Sequence, residues 1–387
     1  VTENRAYKRS LGLWELVSLG VGGTIGSGIF VVPGLAAGLT GPWSLLAWVI
    51  VAISASCVLL SLSSISHRFA SEGSFFSLFE SVFGARIAVP LIILYLISSV
   101  FGVATIAAGI GQYISFFTYS PILIVEIALI VVFCIINIVG ISFSGMTENL
   151  LTLIKIIPLV VITLLLIPFI RPVNFIPDIP LTATGLLATI IIVYWPFTGF
   201  EISAIPVEET KDPSLIRTSL LLVMGIVVSL YLVLNIALIG SMGAASLAAS
   251  PAPVAAAAGI LFTQSGTLVA CIGIVAMLSA LNAYIVGTSR VLYSLSGRLS
   301  IPGLRDLTHR GTPAYALAAG CAASAALLLF SNRFAELATI SVITTLIPYI
   351  FFCGASWILV TNVQSRLVSA AGAISTAAIL AIYVILY

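Results

Sequence analysis

Charge is what this chain has least of. Lys, Arg, Asp and Glu make up only 7% of its 387 residues, against 60% hydrophobic side chains. So little polar surface cannot cover a soluble globule of that length, and the chain reads as an all-α polytopic membrane protein embedded in a lipid bilayer. A net charge of +2 supplies neither a basic face for nucleic acid nor an acidic disordered tail, so no nucleic-acid partner is expected. Histidine occurs twice, at His67 and His309, both in loops. With no Ser/His/Asp set or metal-ligand cluster beside them, neither an enzyme nor a cofactor or metal site is expected. The five cysteines, Cys57, Cys134, Cys271, Cys321 and Cys353, all lie in apolar stretches and read as inert thiols rather than a disulfide framework or zinc site. No cleavable leader is expected ahead of the first apolar stretch, which directs its own insertion.

What the chain has instead is apolar length. A membrane helix needs about 20 apolar residues. That ruler predicts eleven spans, near 11–36, 42–66, 87–117, 121–140, 147–170, 183–205, 215–242, 264–295, 313–331, 337–361 and 367–387. With the N-terminus in the cytoplasm, twelve Lys and Arg residues fall on or near the cytoplasmic side, only Arg171 and Arg333 fall outside, and Lys155 lies in the membrane. That asymmetry predicts a multi-pass plasma-membrane protein with its N-terminus inside. A charged cytoplasmic segment, 206–213, follows span six, and an Ala-rich outer stretch, 243–262, is long enough for a short surface helix.

Two spans contain residues that should break them. The first reads Gly20-Val21-Gly22-Gly23-Thr24-Ile25-Gly26-Ser27-Gly28-Ile29-Phe30, and the sixth Tyr194-Trp195-Pro196-Phe197-Thr198-Gly199-Phe200-Glu201. Lipid cannot hydrogen-bond the backbone groups such breaks release, so broken helices survive at membrane depth only when buried in protein or lining a wet cavity. Breaks in spans one and six fit a single domain of two inverted five-span repeats, 11–170 and 183–361, with a peripheral span at 367–387. That arrangement places a substrate site between discontinuous helices of a secondary transporter.

Unwinding at Gly26, Ser27 and Gly28 frees amides at the positive end of a half-helix, which suits a carboxylate. Pro196 and Gly199 free carbonyls near Trp195, Phe197 and Thr198, which suit an ammonium. A pair of sites with opposite preference describes an α-amino acid. The plainer alternative is that the glycines serve only close helix packing.

Lys155 lies about 13 Å of helix rise into span five, near the midplane, where an ammonium is costly. Carbonyls of the unwound first span are its expected partners. Fixed there, it could stand in for a sodium ion or lose its proton during coupling; the alternative is snorkelling to the cytoplasmic face. Glu201 has three open roles: protonatable switch, partner of a cationic substrate, or structural acceptor. Glu126 is expected at the interface, and Glu15 at the cytoplasmic mouth as a gate or ion-pair partner.

Together these residues resemble the amino acid–polyamine–organocation transporter superfamily, over nearly the whole chain. Gly23 to Phe30 is similar to its first-helix signature and Gly199-Phe200-Glu201 to its sixth. Glu208-Glu209 with Lys211 and Pro213 resembles its acidic segment after helix six. Gly311-Thr312-Pro313 and Ser341 to Tyr349 resemble the bacterial arginine/agmatine exchangers, whereas Lys155 matches sodium-independent, proton-coupled members and the light-chain-type exchangers. The resemblance implies the five-plus-five fold. It also implies that Thr24, Ser27 and Gly28 line the carboxylate site, with Ile25 also in the substrate site, that Trp195 and Thr198 line the amine site, and that Tyr284, with Asn282 nearby, caps the substrate side chain. Ser341 would touch the substrate's distal end, and Val103 stands where the exchangers carry a polar residue, which weakens an arginine assignment. The family usually has twelve spans, one more than is found here.

The expected activity is sodium-independent, proton-coupled transport of amino acids by alternating access, with small neutral or apolar substrates first. Amino acid exchange is the alternative; a channel or nutrient sensor on the same fold is more distant.

Overall fold

A computed structural model describes residues 12–65, 75–118, 122–139, 145–200, 210–299 apart from 213, and 312–386, with isolated positions between 301 and 308. Its elements are helical: α1 (Leu13–Thr24), α2 (Ser27–Thr40), α3 (Ser44–Ser64), α4 (Phe75–Phe83), α5 (Ala85–Ser115), α6 (Ile122–Val139), α7 (Gly145–Leu166), α8 (Ala183–Tyr194), α9 (Ser214–Met242), α10 (Ala244–Ala248), α11 (Pro253–Ala258), α12 (Ser265–Leu299), α13 (Ala314–Phe330), α14 (Phe334–Leu359) and α15 (Val363–Leu386). Among the described residues, eight apolar stretches are long enough to cross a membrane. The first, Leu13–Ser64, is 52 residues long and turns back at Gly41–Trp43, so it makes two passes. With the shorter apolar helices Ala183–Phe197 and Ala314–Phe330, this gives the eleven passes expected.

The long α5 is the central post, packed against both α12 and α14. Small residues make the close approaches possible, as Gly102 and Gly109 do where Tyr284 and Ser27 meet α5. Most buried hydroxyls are satisfied within the bundle because lipid offers them nothing; among the described residues Ser44 and Ser279 are exceptions. Many bond their own helix one turn back, as Thr105 Oγ1 does to the Phe101 carbonyl at 2.7 Å. Others zip helices together: Ser98 of α5 meets Ser341 and Thr345 of α14, and Ser64 of α3 meets Ser356 of α14, which accepts from Ser369 of α15 at 2.8 Å. The last span is thereby fastened to α3 and α14.

The Ala-rich stretch 243–262 carries two short helices, α10 and α11, where one was expected. Helix α4 was not foreseen. Its Phe79 stacks on Phe352 with centroids 4.7 Å apart, and Phe83 sits edge-on to Phe351 at 5.3 Å. A Phe every fourth position in a segment too short to span was the available signal. The helix stops at Gly84, whose φ of +78° is costly for any side-chain-bearing residue.

Candidate functional site

Both expected breaks are present. Helix α1 ends at Thr24, Ile25 is extended (φ −79°, ψ 93°), and α2 restarts at Ser27 behind Gly26, with no side chain capping its first amides. In the sixth span α8 stops at Tyr194, Trp195–Phe197 form a tight 3-10 turn, Thr198 is extended (φ −82°, ψ 157°), and Gly199 takes φ +93°.

The breaks cross each other directly. Trp195 Nε1 donates to Ser27 Oγ at 3.2 Å. A Cβ at Gly28 would lie 2.6 Å from Pro196 Cα, and one at Gly199 2.9 Å from the Gly23 carbonyl. Ascending positions in the first span meet descending ones in the sixth, so the two segments run antiparallel. Tyr284 of α12 completes the group, its ring centroid 5.9 Å from Trp195 and its hydroxyl 3.5 Å from Thr198 Oγ1. Gly102 of α5 gives both rings room.

Unwinding strips acceptors of their helical donors, and other spans replace them. The Gly22 carbonyl, whose helical donor would be the Gly26 amide, accepts instead from Lys155 Nζ at 2.9 Å. Lys155 is 1% exposed, so it does not snorkel. One turn earlier Thr152 Oγ1 donates to the Ser18 carbonyl at 3.0 Å, which sets α7 parallel to α1. The Thr24 carbonyl accepts from Tyr231 of α9 at 3.2 Å. Tyr231 was missed by sequence reasoning; a tyrosine inside an otherwise apolar span was its signal.

The amino acid permease family profile matches residues 11–387, nearly the whole chain. The chain belongs to the amino acid permease family. The inner membrane transport protein YbaT of Escherichia coli is 25% identical over 315 residues, 79% of this chain and 73% of its own. The branched-chain amino acid permease BcaP of Bacillus subtilis is 22% identical, covering 79% of this chain and 70% of its own. The serine/threonine exchanger SteT of the same organism is 26% identical over 380 residues, 92% of this chain and 85% of its own. These names are those of transporters rather than enzymes, and the permease is a multi-pass membrane protein.

Several residues of the permease sit otherwise than expected. The Trp195 carbonyl is not open: it accepts from both Thr198 N (3.1 Å) and Thr198 Oγ1 (2.8 Å), because the 3-10 turn folds Thr198 back on it. The Phe197 ring turns away from Tyr284 into a cluster with Trp48 and Tyr231, at centroid distances of 5.9 and 5.3 Å. Thr24 Oγ1 bonds its own helix at Gly20 (2.7 Å). Ser341 Oγ donates to the Ser98 carbonyl at 2.9 Å, and Asn282 faces span four, accepting from Asn137 at 2.7 Å. Ile25 and Val103 are buried. Glu15 accepts from the Gly12 amide at 3.0 Å, capping α1. Glu126 stays near the start of span four, as expected, but is buried against the bundle. Glu201, Glu208, Glu209, Pro213, Gly311 and both histidines lie outside the described residues.

A groove of about 620 Å³ lies between the second half of α2, α8 and the start of α14, lined by Gly34, Leu39, Ile191 and Ile340 and by no residue of either break. The breaks themselves are in contact, so a ligand between them requires the two spans to part.

Proposed function

We propose that this permease carries amino acids by sodium-independent, proton-coupled alternating access, taking the substrate between its two breaks. The uncapped amides of Gly26, Ser27 and Gly28 favour the carboxylate, helped by the dipole of α2. The carbonyls of Phe197 and Thr198, at the negative end of α8, favour the ammonium. Trp195 and Tyr284 are the rings a substrate side chain would meet. Buried Val103 and the prior engagement of Ser341 favour small neutral or apolar side chains, in keeping with relatives named for branched-chain amino acids and for serine and threonine. The Lys and Arg asymmetry supports an N-terminus in the cytoplasm.

The observation that carries this reading is the Lys155 ammonium on the Gly22 carbonyl. A cation built into the protein at an unwound carbonyl does the work of a bound metal cation, so none need accompany the substrate. Parting of α1 and α7 would remove that acceptor and favour loss of the ammonium proton, because a charge at that depth is costlier with each acceptor it loses.

The test is Lys155→Ala in reconstituted vesicles. Accumulation driven by a proton gradient is expected to fall at least about tenfold, as for loss of more than 1.4 kcal/mol of coupling, while sodium has no effect on either protein. Undiminished gradient-driven accumulation would remove Lys155 from coupling. The likeness to a serine/threonine exchanger supports a second reading, obligate exchange. It requires that uptake depend on amino acid preloaded inside the vesicle.

A further inference from the structure

Helix α6 faces lipid around most of its circumference: of its 18 residues, only Glu126, Ile130 and Cys134 are buried. They recur at every fourth position, forming one stripe against the bundle. The first member of this stripe is an acid. Glu126 is 1% exposed, its Oε1 fills the space that a side chain at Gly111 of α5 would need, and its Oε2 has no hydrogen-bond partner among the described residues.

Among the described residues no countercharge is within reach. The elements packed against α6 are α5, α12 and α13. Helix α13 has no charged residue, and those of α5 and α12 are Arg86, Arg290 and Arg298, all at the far end of the bundle. Arg86 is about 37 Å of helix rise from Gly111. The titratable groups on these helices are phenols and thiols: Tyr95 and Tyr113 on α5, Cys271, Tyr284 and Tyr293 on α12, and Tyr315 and Cys321 on α13, besides Cys134 on α6 itself. Tyr113 is turned away, donating to the Phe30 carbonyl at 2.8 Å. A bare carboxylate in such surroundings costs several kcal/mol, and a neutral carboxyl far less.

We propose that Glu126 is a proton-binding site of this permease, loaded from the membrane face opposite the N-terminus, and that the bound proton is what allows the carboxyl to occupy the Gly111 notch. Glu126 lies about 6 Å of rise from the start of α6, so the path to water on that face is short. The step is a simple transfer: the carboxylic acid gives a proton to water and becomes a carboxylate, and the reverse reloads it. The anion leaves the notch, so ionisation loosens α6 from α5. Two residues away on α5, Gly109 presses on Ser27 of the first break, where a Cβ would be 2.9 Å from the Ser27 Cβ. One short stretch of α5 therefore touches both the acid and the break.

The consequence for transport rests on the reading above; the protonation itself does not. The experiment compares the full chain with Glu126→Gln, a neutral near-isostere, in liposomes. The infrared difference spectrum is expected to show a protonated carboxyl C=O band at neutral pH that belongs to Glu126 and disappears reversibly on alkalinisation. A carboxylate band at neutral pH would overturn the site whether or not the vesicles transport. In vesicles that do transport, the wild type is expected to vary severalfold in uptake with the pH on the loading face, and Glu126→Gln to stay active with that variation reduced to the part that Lys155 carries. A wild-type pH profile in Glu126→Gln would refute the link to transport.

Discussion

Trp195 and Ser27 join the two interrupted spans directly, indole N–H to hydroxyl at 3.2 Å, with no third element between them. A neutral hydrogen bond of this kind contributes about 1 kcal/mol net, and stranding its buried donor costs more. Ser27→Ala, which strands the indole, is expected to lower thermal stability more than Trp195→Phe, which removes the donor itself. The double variant should fall short of the sum of the singles by about 1 kcal/mol. Detergent-phase unfolding of the four proteins gives the cycle; strict additivity would mean that the bond contributes nothing.

The closeness of the breaks makes their glycines exacting. Gly28→Ala puts a methyl 2.6 Å from the Pro196 backbone, and Gly199→Ala adds a left-handed residue facing the Gly23 carbonyl. Overpacking and strain of this sort each cost about 1–3 kcal/mol. Both variants are expected to lose most uptake, whereas Gly225→Ala, with nothing within 4 Å of its Cβ, should be neutral. Equal uptake by all three would show that the contact is not kept during transport.

The breaks were legible because Gly and Pro disrupt a helix whatever surrounds it. The partner of Lys155 was legible for a related reason: a helix that unwinds must release carbonyls one turn earlier. Rotation about the helix axis was not. In water an amphipathic stripe sets it, but lipid and protein core are both apolar, so hydropathy could not turn Phe197 toward Trp48, pair Ser341 with Ser98, or face Glu126 inward. The amphipathic α4 was readable in principle, though its nine residues fall below any span-length threshold.

Ahead of α9, Asp212 Oδ1 accepts from the Ser214 amide at 2.9 Å, which holds its carboxyl below the ordinary aspartate range. Because the folded value is the lower one, the stabilisation is complete above the unfolded value of about 4 and fades as pH falls through the folded value. Asp212→Asn is therefore expected to narrow the stability gap between pH 7 and pH 3. Asp212 is fully exposed, so the effect should be small and shrink with salt. An unchanged gap in low salt would show that the carboxylate does not hold the start of α9.

The last span reaches the sixth-span break through two hydroxyl contacts. Ser375 of α15 lies 2.9 Å from Ser54 of α3, and Ser54 lies 3.0 Å from the Tyr194 hydroxyl. Tyr194 ends α8 and directly precedes the 3-10 turn that presents Trp195 to Ser27. Tyr194→Phe removes the hydroxyl at the break, whereas Ser375→Ala removes only the far end of the relay and leaves Ser54 bonded to Tyr194. At about 1 kcal/mol for each hydrogen bond, Tyr194→Phe is expected to change the KM for uptake by roughly fivefold. Ser375→Ala should change it in the same direction but by less, and should add nothing in the Tyr194→Phe background, where the relay is already cut. Initial-rate uptake in proteoliposomes matched for protein content measures all three. An independent effect of Ser375→Ala on top of Tyr194→Phe would show that α15 acts on the transporter by some route other than this relay.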